Sequence, residues 1–399
     1  MQFLSVLNKN ERKGKLYNRK EKKMPSKKEK LKSFKNDSID FTLLIVIFIL
    51  LALGIVMVLS ASSPSALAEE GNSYSYAIKQ GIFAIIGIFL MLFLSKVDYR
   101  IYKKLYKVAY WGSIIALALV PLIGYEVNGA KRWINLGFTS IQPSDLAKLG
   151  FIIFFAAYLS IHKDELKGLV KGFFKPFMFL VPGVLILVLF QEHLSATLVI
   201  VAVISIMMLI AGTRLRYFMT LGLGGAGALL TALIMLGEEF RLKRITTFLD
   251  PWQDKQGAGW QVIQSLYAIG SGGLFGVGLG ESKQKFLYIP EPHNDFIFAV
   301  LAEELGFIGC LAVIALFGLF IWRGVLIAMK APDTFGSLLA VGITSLIGIQ
   351  AIFNIAVVTS SMPATGMALP FFSYGGTALV TILASCGILL NISRAGNKI

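Results

Sequence analysis

Four carboxylates stand in or beside a stretch otherwise apolar enough to enter a bilayer: Glu291, Asp295, Glu303 and Glu304 in "PEPHNDFIFAVLAEELG", residues 290–306. A charge at membrane depth costs several kcal/mol unless it is paired, hydrated or neutralised, so each acid needs a use. Asp295 falls where the chain re-enters an apolar run, behind Pro290, Pro292, His293 and Asn294, residues that shape a fixed polar mouth. A carboxylate partly desolvated there holds its proton more tightly and can accept one from a substrate hydroxyl. Glu303 and Glu304 follow roughly 12 Å deeper by helical rise. They project to different faces, and the expected use is to lock helices together through buried hydrogen bonds or ion pairs. Intramembrane charges on a transport path are the alternative.

The opposite charge is available in "NGAKRWINLG", where Lys131 and Arg132 precede Trp133, an interface anchor. A second cluster, Arg241, Lys243 and Arg244, follows a later apolar run, and Arg244 is the favoured member. Cations in such loops meet anions. Arg offers a planar donor fork and Lys a mobile point charge, which suits a phosphate or diphosphate; lipid headgroup contact is the plainer reading. The glycine-rich "IGSGGLFGVGLGES", residues 269–282, has no P-loop lysine and fits no nucleotide fingerprint, so tight turns and close backbone approach explain it. His162, His193 and His293 are scattered, and Cys310 and Cys386 lie inside apolar runs. Neither a metal-ligand spacing nor a disulfide framework is visible.

The elements that must position these groups are membrane spans. Mean hydropathy is +0.71, 56% of the 399 residues are hydrophobic, and apolar runs of spanning length recur. They fall at roughly 40–61, 77–95, 106–123, 143–161, 174–190, 194–211, 217–236, 294–321, 335–359 and 373–391, each near the ~20 residues a bilayer requires. The expected fold is an all-α, polytopic membrane protein of about ten transmembrane helices. A basic tail (1–38) precedes the membrane domain (39–394) and a short C-terminus (395–399). The tail holds about a third of the chain's 38 basic residues and reads as disordered and cytoplasmic rather than as a nucleic-acid module. Alternate short connections carry Lys96, Arg100, Lys103, Lys163, Lys167, Arg214 and Arg323, while 62–76, 191–193 and 360–372 carry no cation. The positive-inside rule therefore places both termini in the cytoplasm. Loops 124–142 and 237–293 then face outward, and the second is long enough to imply function. Its apolar stretches "WQVIQSLYAIG" and "KFLYIP" are expected to lie on the membrane surface. Pro363, Pro370, Gly375 and Gly376 break "MPATGMALPFFSYGGTA", which puts irregular backbone beside the same outer chamber.

"NGAKRWINLG", "QPSDLAKL", the run from "TFLDPWQDKQGAGW" to "AEELG", and "LPFFSYGGTALV" resemble the shape, elongation, division and sporulation (SEDS) family of cell-wall polymerases over residues 40–394. "SASSPSALAEEGNSYSYAIKQ" and "GILLNISR" are similar to its division and sporulation members rather than the elongation member. The resemblance implies a peptidoglycan glycosyltransferase that joins lipid II units, beside a class B penicillin-binding protein transpeptidase and other division or sporulation membrane proteins. It matches the family's essential aspartate to Asp295 and its loop tryptophan to Trp133. Where many members read Gln-Pro-Asp, this chain departs with Gln191, Glu192 and His193, so the carboxylate of the third place is missing unless Glu192 replaces it. The expected substrate-binding set is Lys131, Arg132, Trp133, Gln191, Glu192, Arg244 and His293. A divalent cation, Mg2+ or Mn2+, is expected only as an ion arriving with the substrate diphosphate. A lipid II flippase is the rival function.

Overall fold

The computed structural model describes residues 38–396 apart from 128–129, 138–139, 220–247, 249, 256, 258 and 287. In chain order its main helices are α1 (Phe41–Glu70), α2 (Ser75–Leu94), α3 (Tyr106–Ile123), α4 (Pro143–Ile161), α5 (Val170–Phe190) and α6 (Leu194–Ala211), then the shorter α7 (Trp260–Gly272). α8 (Ile297–Lys330), α9 (Thr334–Val358) and α10 (Gly376–Gly396) complete the bundle. Nine of these, all but α7, are long and apolar enough to cross a membrane among the described residues. Helix is what lipid demands, because nothing in hydrocarbon can satisfy an unpaired peptide group. The span expected at 217–236 lies almost wholly outside the described residues, as do the basic tail and Arg241, Lys243 and Arg244.

Burial sorts the helices. In α4, α9 and α10, 78%, 72% and 78% of the most apolar window is buried, against 22% in α2 and α3 and 28% in α5. The first three are the middle of the bundle; the others turn most of their apolar surface to lipid. α2 lies along α10, and small residues set the approach: a Cβ added to Gly387 would come 2.4 Å from the Met91 carbonyl oxygen. Packing of this kind substitutes for the hydrophobic drive that lipid removes. At one end of the bundle Asp40 caps α1 by accepting from the Leu43 N–H at 2.9 Å, and the Arg323 guanidinium of α8 binds the same carboxylate. The Asp40 N–H donates to Ser393 Oγ at 3.0 Å, which ties in the last turn of α10.

The opposite end carries the irregular segments. Between α3 and α4 the chain forms a small antiparallel sheet, β1 (Tyr125–Val127), β2 (Ala130–Asn135) and β3 (Ser140–Ile141), in the order β1-β2-β3. This is a minor addition to the all-α expectation. Glu126 pairs with Lys131 and Tyr125 with Trp133, so Arg132 is an extra residue in β2, a β-bulge. A bulge breaks the two-residue alternation of a strand and re-aims a side chain.

α8 is two helices end to end. Gly306, with φ 67° and ψ −168°, interrupts it, and the freed peptide groups find partners in the loop after α7. Val277 and Gly278 N–H donate to the carbonyls of Glu303 and Glu304 at 3.0 and 3.1 Å, and Phe307 and Ile308 N–H donate to those of Gly273 and Leu274. The loop comes so close that a Cβ on Gly276 would stand 2.1 Å from the Glu304 carbonyl oxygen. The glycine-rich run therefore serves close backbone approach, as its composition implies. α7 packs on α8, with Val262, Ile263 and Ala268 buried.

Candidate functional site

A cavity of about 630 Å³ opens between the sheet, the first turns of α4 and α6, the segment before α8, and the 366–376 segment leading into α10. Asp295, Glu291, Asn294, Arg132, Trp133, Asp145, Lys148, His193 and Lys79 are among its lining residues. The broken "MPATGMALPFFSYGGTA" stretch supplies one wall, through Gly366, Met367, Ser373 and Tyr374.

Asp295 sits two residues ahead of α8. Asn354 of α9 fixes its backbone: one side-chain amide donates to the Asp295 carbonyl at 2.8 Å and to that of Met367 at 2.6 Å. Gly366, with φ +68°, passes so near the carboxylate that a Cβ there would lie 3.1 Å from Asp295 Oδ2. Burial pushes the Asp295 carboxyl up to about 6; the Glu291 charge adds to the rise and Arg132 opposes it. A carboxylate so tuned is still largely ionised at neutral pH yet basic enough to take a proton.

Arg132 owes its place to the bulge, which lets it and its neighbour Trp133 both line the cavity. Its guanidinium donates to the Gln191 carbonyl at 3.3 Å and to the Glu192 carbonyl at 2.7 Å. Glu192 adopts φ 48°, a turn that presents its carbonyl to Arg132. The structure places Gln191, Glu192, Lys131 and His293 of the expected substrate-binding set outside the cavity lining. Gln191 and Glu192 are not among the lining residues and act through backbone carbonyls that orient Arg132; Gln191 is buried, with its side-chain amide on the Leu117 carbonyl. Lys131 is exposed, paired across the sheet with Glu126, and is likewise outside the lining. Arg244 lies outside the described residues. His293 is buried behind the wall, its ring 5.0 Å from that of Tyr76 and 5.8 Å from that of Tyr374. Burial holds its imidazole down at about 4, so it is neutral near pH 7 and meets Glu291 Oε2, at 3.4 Å, without a full charge.

Several lining residues were not picked out by the sequence. Asp145 and Lys148, within the quoted "QPSDLAKL", form a nearly buried ion pair at 2.8 Å in the first turns of α4. Their i,i+3 spacing at the head of an apolar run was the available signal. Asp145 Oδ2 is buried with no hydrogen-bond partner, so the pair retains accepting capacity. His193 lines the cavity with an unpartnered Nδ1, and burial with the Arg132 and Lys148 charges holds its proton affinity well below the ordinary range. Among the described residues no three His, Cys, Asp or Glu side chains form a metal-ligand set.

Glu303 and Glu304 do not reach the cavity lining. Glu303 accepts from Ser282 Oγ at 2.5 Å and from the Lys283 and Gln284 N–H groups at 3.0 and 3.3 Å. Glu304 pairs with Lys285 at 3.0 Å and accepts from Ser60 of α1 at 2.6 Å. The Lys285 ammonium also donates to Ser60 Oγ and to the Gly280 carbonyl, so its three N–H groups have three acceptors. The two acids clamp the loop that leads to Asp295.

This fold and cavity are those of a polytopic membrane protein of the family described as cell cycle protein, the group of FtsW, RodA and SpoVE; the match covers residues 41–398, and the chain belongs to it. Among its relatives, stage V sporulation protein E of Bacillus subtilis is 44% identical over 363 residues, 90% of this chain and 98% of that protein. A probable peptidoglycan glycosyltransferase FtsW of Geobacter sp. is 43% identical over 357 residues, 89% of this chain and 96% of that one. Among solved structures, a chain from a peptidoglycan synthase complex that coordinates polymerization and crosslinking superposes with a TM-score of 0.76 at 30% identity, covering 90% of this chain and 98% of its own. Thermus thermophilus rod shape determining protein RodA superposes with 0.64 at 29% identity, over 89% and 97%.

Proposed function

We propose that this chain is a peptidoglycan glycosyltransferase that polymerises lipid II, with Asp295 as general base and Arg132 as the cationic partner of the leaving group. Family membership and relatives named for this activity support the reaction class. The observation that carries the residue assignment is Asp295 in one cavity with Arg132, its carboxyl raised to about 6.

In the step so read, the 4-hydroxyl of one sugar attacks the anomeric carbon of another. A new C–O bond forms, the bond from that carbon to the lipid diphosphate breaks, and the hydroxyl proton passes to Asp295. The diphosphate departs with its electron pair, its charge met by the fixed Arg132 guanidinium, so no acid is needed on that side. The Asp145–Lys148 pair stands in the cavity lining as a further polar group beside the sugars. By the positive-inside rule both termini are cytoplasmic and the cavity faces outward. A membrane-bound transpeptidase is the expected partner, in line with the synthase complex that the fold matches.

The rival reading, a lipid II flippase, relied on Glu303 and Glu304 as charges in a path. Both are buried and fully engaged by Ser282, Lys283, Lys285 and Ser60, which favours the polymerase. Purified protein in liposomes with lipid II separates the two. Asp295→Ala is expected to abolish glycan formation while the protein stays folded. Polymerisation at the normal rate by that variant removes Asp295 as the base, and lipid II crossing the bilayer in a Glu303- or Glu304-dependent manner restores the flippase.

A further inference from the structure

Lys79 is a cavity-lining cation for which the reaction above has no use. It lies near the start of α2, with Nζ 2.6 Å from Glu70 Oε1 at the end of α1, and both side chains are partly open to solvent. Beside it Tyr76 stacks on Tyr374, with centroids 4.9 Å apart and planes at 25°, and Tyr374 also lines the cavity. Lys79 Nζ is 5.7 Å from the Tyr76 centroid.

Arg132 and Lys79 share a cavity yet are held by different parts of the fold. Arg132 rides on β2 and is fastened to the α5–α6 link. Lys79 rides on α2 and is held by the end of α1. The charge of Arg132 acts on Asp295 and His193, that of Lys79 on Tyr374. One cavity therefore holds these two cations on separate parts of the fold, Lys79 with Glu70 as its ion-pair partner and Glu69 bonded to the Tyr76 hydroxyl beside it.

If the chain joins two lipid-linked sugars, as the preceding reading holds, two diphosphates must be accommodated in each turnover. One leaves the anomeric carbon. The other stays on the molecule whose hydroxyl attacks, and it must be gripped without being activated. A rigid Arg fork suits the first task and a mobile ammonium the second. We propose that Lys79, with the Tyr76–Tyr374 stack, forms a second lipid-diphosphate subsite that holds the attacking molecule, and that Glu70 competes with the diphosphate for the ammonium. Tyr374 of the stack stands in the cavity lining beside the adjoining sugar, and the exposed Lys79 needs only to swing off Glu70.

The shared chemistry is a lipid-borne phosphate, so a bilayer phospholipid is the other source, and the test must distinguish them. Full-length protein in phosphatidylcholine nanodiscs is titrated with undecaprenyl diphosphate, and bound copies are counted by native mass spectrometry. Wild type is expected to bind two, Lys79→Met one, and Glu70→Gln two, with one site tightened by about tenfold because the competing carboxylate is gone. That opposite sign separates ligand competition from a structural ion pair, whose loss would weaken both variants alike. The subsite is refuted if wild type binds one copy, if Lys79→Met still binds two, or if Glu70→Gln behaves like Lys79→Met. Displacement of the Lys79-dependent copy by equimolar phosphatidylglycerol gives the site to bilayer lipid and also refutes it. The count does not depend on turnover: a wild type that binds two diphosphates but makes no glycan overturns the polymerase reading and leaves the subsite standing.

Discussion

Lys285 Nζ stands 3.0 Å from Glu304 Oε1 with both side chains almost sealed from solvent, and the pair joins the loop after α7 to the upper half of α8. Two charges taken out of water gain little over a matched apolar pair, but removing one partner leaves the other stranded, at a cost of about 3–5 kcal/mol. Lys285→Met or Glu304→Gln is therefore expected to lower the thermal unfolding midpoint of the detergent-solubilised protein sharply. The double variant is expected to recover part of the loss. Equal and additive losses in the two singles and the double would show that the pair is not coupled.

The position of Asp295 on the pH scale predicts an acid limb. With its carboxyl at about 6, the base is protonated and idle below that value, so polymerisation falls as pH drops through it. Glu291 raises Asp295 by like charge, and Glu291→Gln is expected to move the limb to lower pH with its slope unchanged. Stability responds in the opposite sense. The folded state binds this proton more tightly than the unfolded chain, whose aspartate titrates near ~3.9. The contribution is therefore present below that range and is lost as pH rises to about 6. Polymerisation rates from pH 5 to pH 8 on wild type and variant check the first claim; a limb that does not move with Glu291→Gln contradicts it.

Gly366 tests how finely Asp295 is placed. Its φ of +68° suits glycine, and a Cβ would stand 3.1 Å from Asp295 Oδ2. Gly366→Ala is expected to turn the carboxylate and lower the maximal rate by roughly ten- to a hundredfold, as small misplacements of a catalytic group do. The Michaelis constant for lipid II should change little. Steady-state kinetics in detergent decide it, and a variant of normal rate would show that Asp295 tolerates the shift.

What was legible in the sequence follows from how far its signals reach. Apolar runs are local, so nine spans were placed to within a few residues at most ends, and α3, α4 and α6 to the residue. α1 and α8 run further than their apolar runs suggested, to Glu70 and Lys330, because a helix can leave the bilayer without a change of backbone. Asp295, Arg132 and Trp133 were legible since a charge or anchor at a span boundary is itself unusual. Lys131 stays outside the cavity lining that Arg132 joins because the bulge that separates them is a pairing between strands, and no local composition encodes it. Lys285 and Glu304 are 19 residues apart, and Ser60 joins them from α1, so their contact is a product of tertiary packing alone. The residue types of Gln191 and Glu192 point to their side chains, whereas Arg132 is held by their carbonyls.

Arg132 offers a way to separate charge from geometry at the site. Its guanidinium spans two carbonyls at 3.3 and 2.7 Å, a double contact that the compact ammonium of lysine cannot reproduce. Arg132→Lys keeps the positive charge that lowers Asp295 but releases the fork. It is expected to reduce catalytic efficiency by about ten- to a hundredfold with the acid limb unmoved. Arg132→Met removes the charge too, so a limb shifted to higher pH should accompany a deeper loss. Both variants are read in one experiment, polymerisation rate against pH. If lysine restores full activity, the leaving group needs only a nearby charge; if methionine leaves the limb where it was, Arg132 does not act on Asp295 at all.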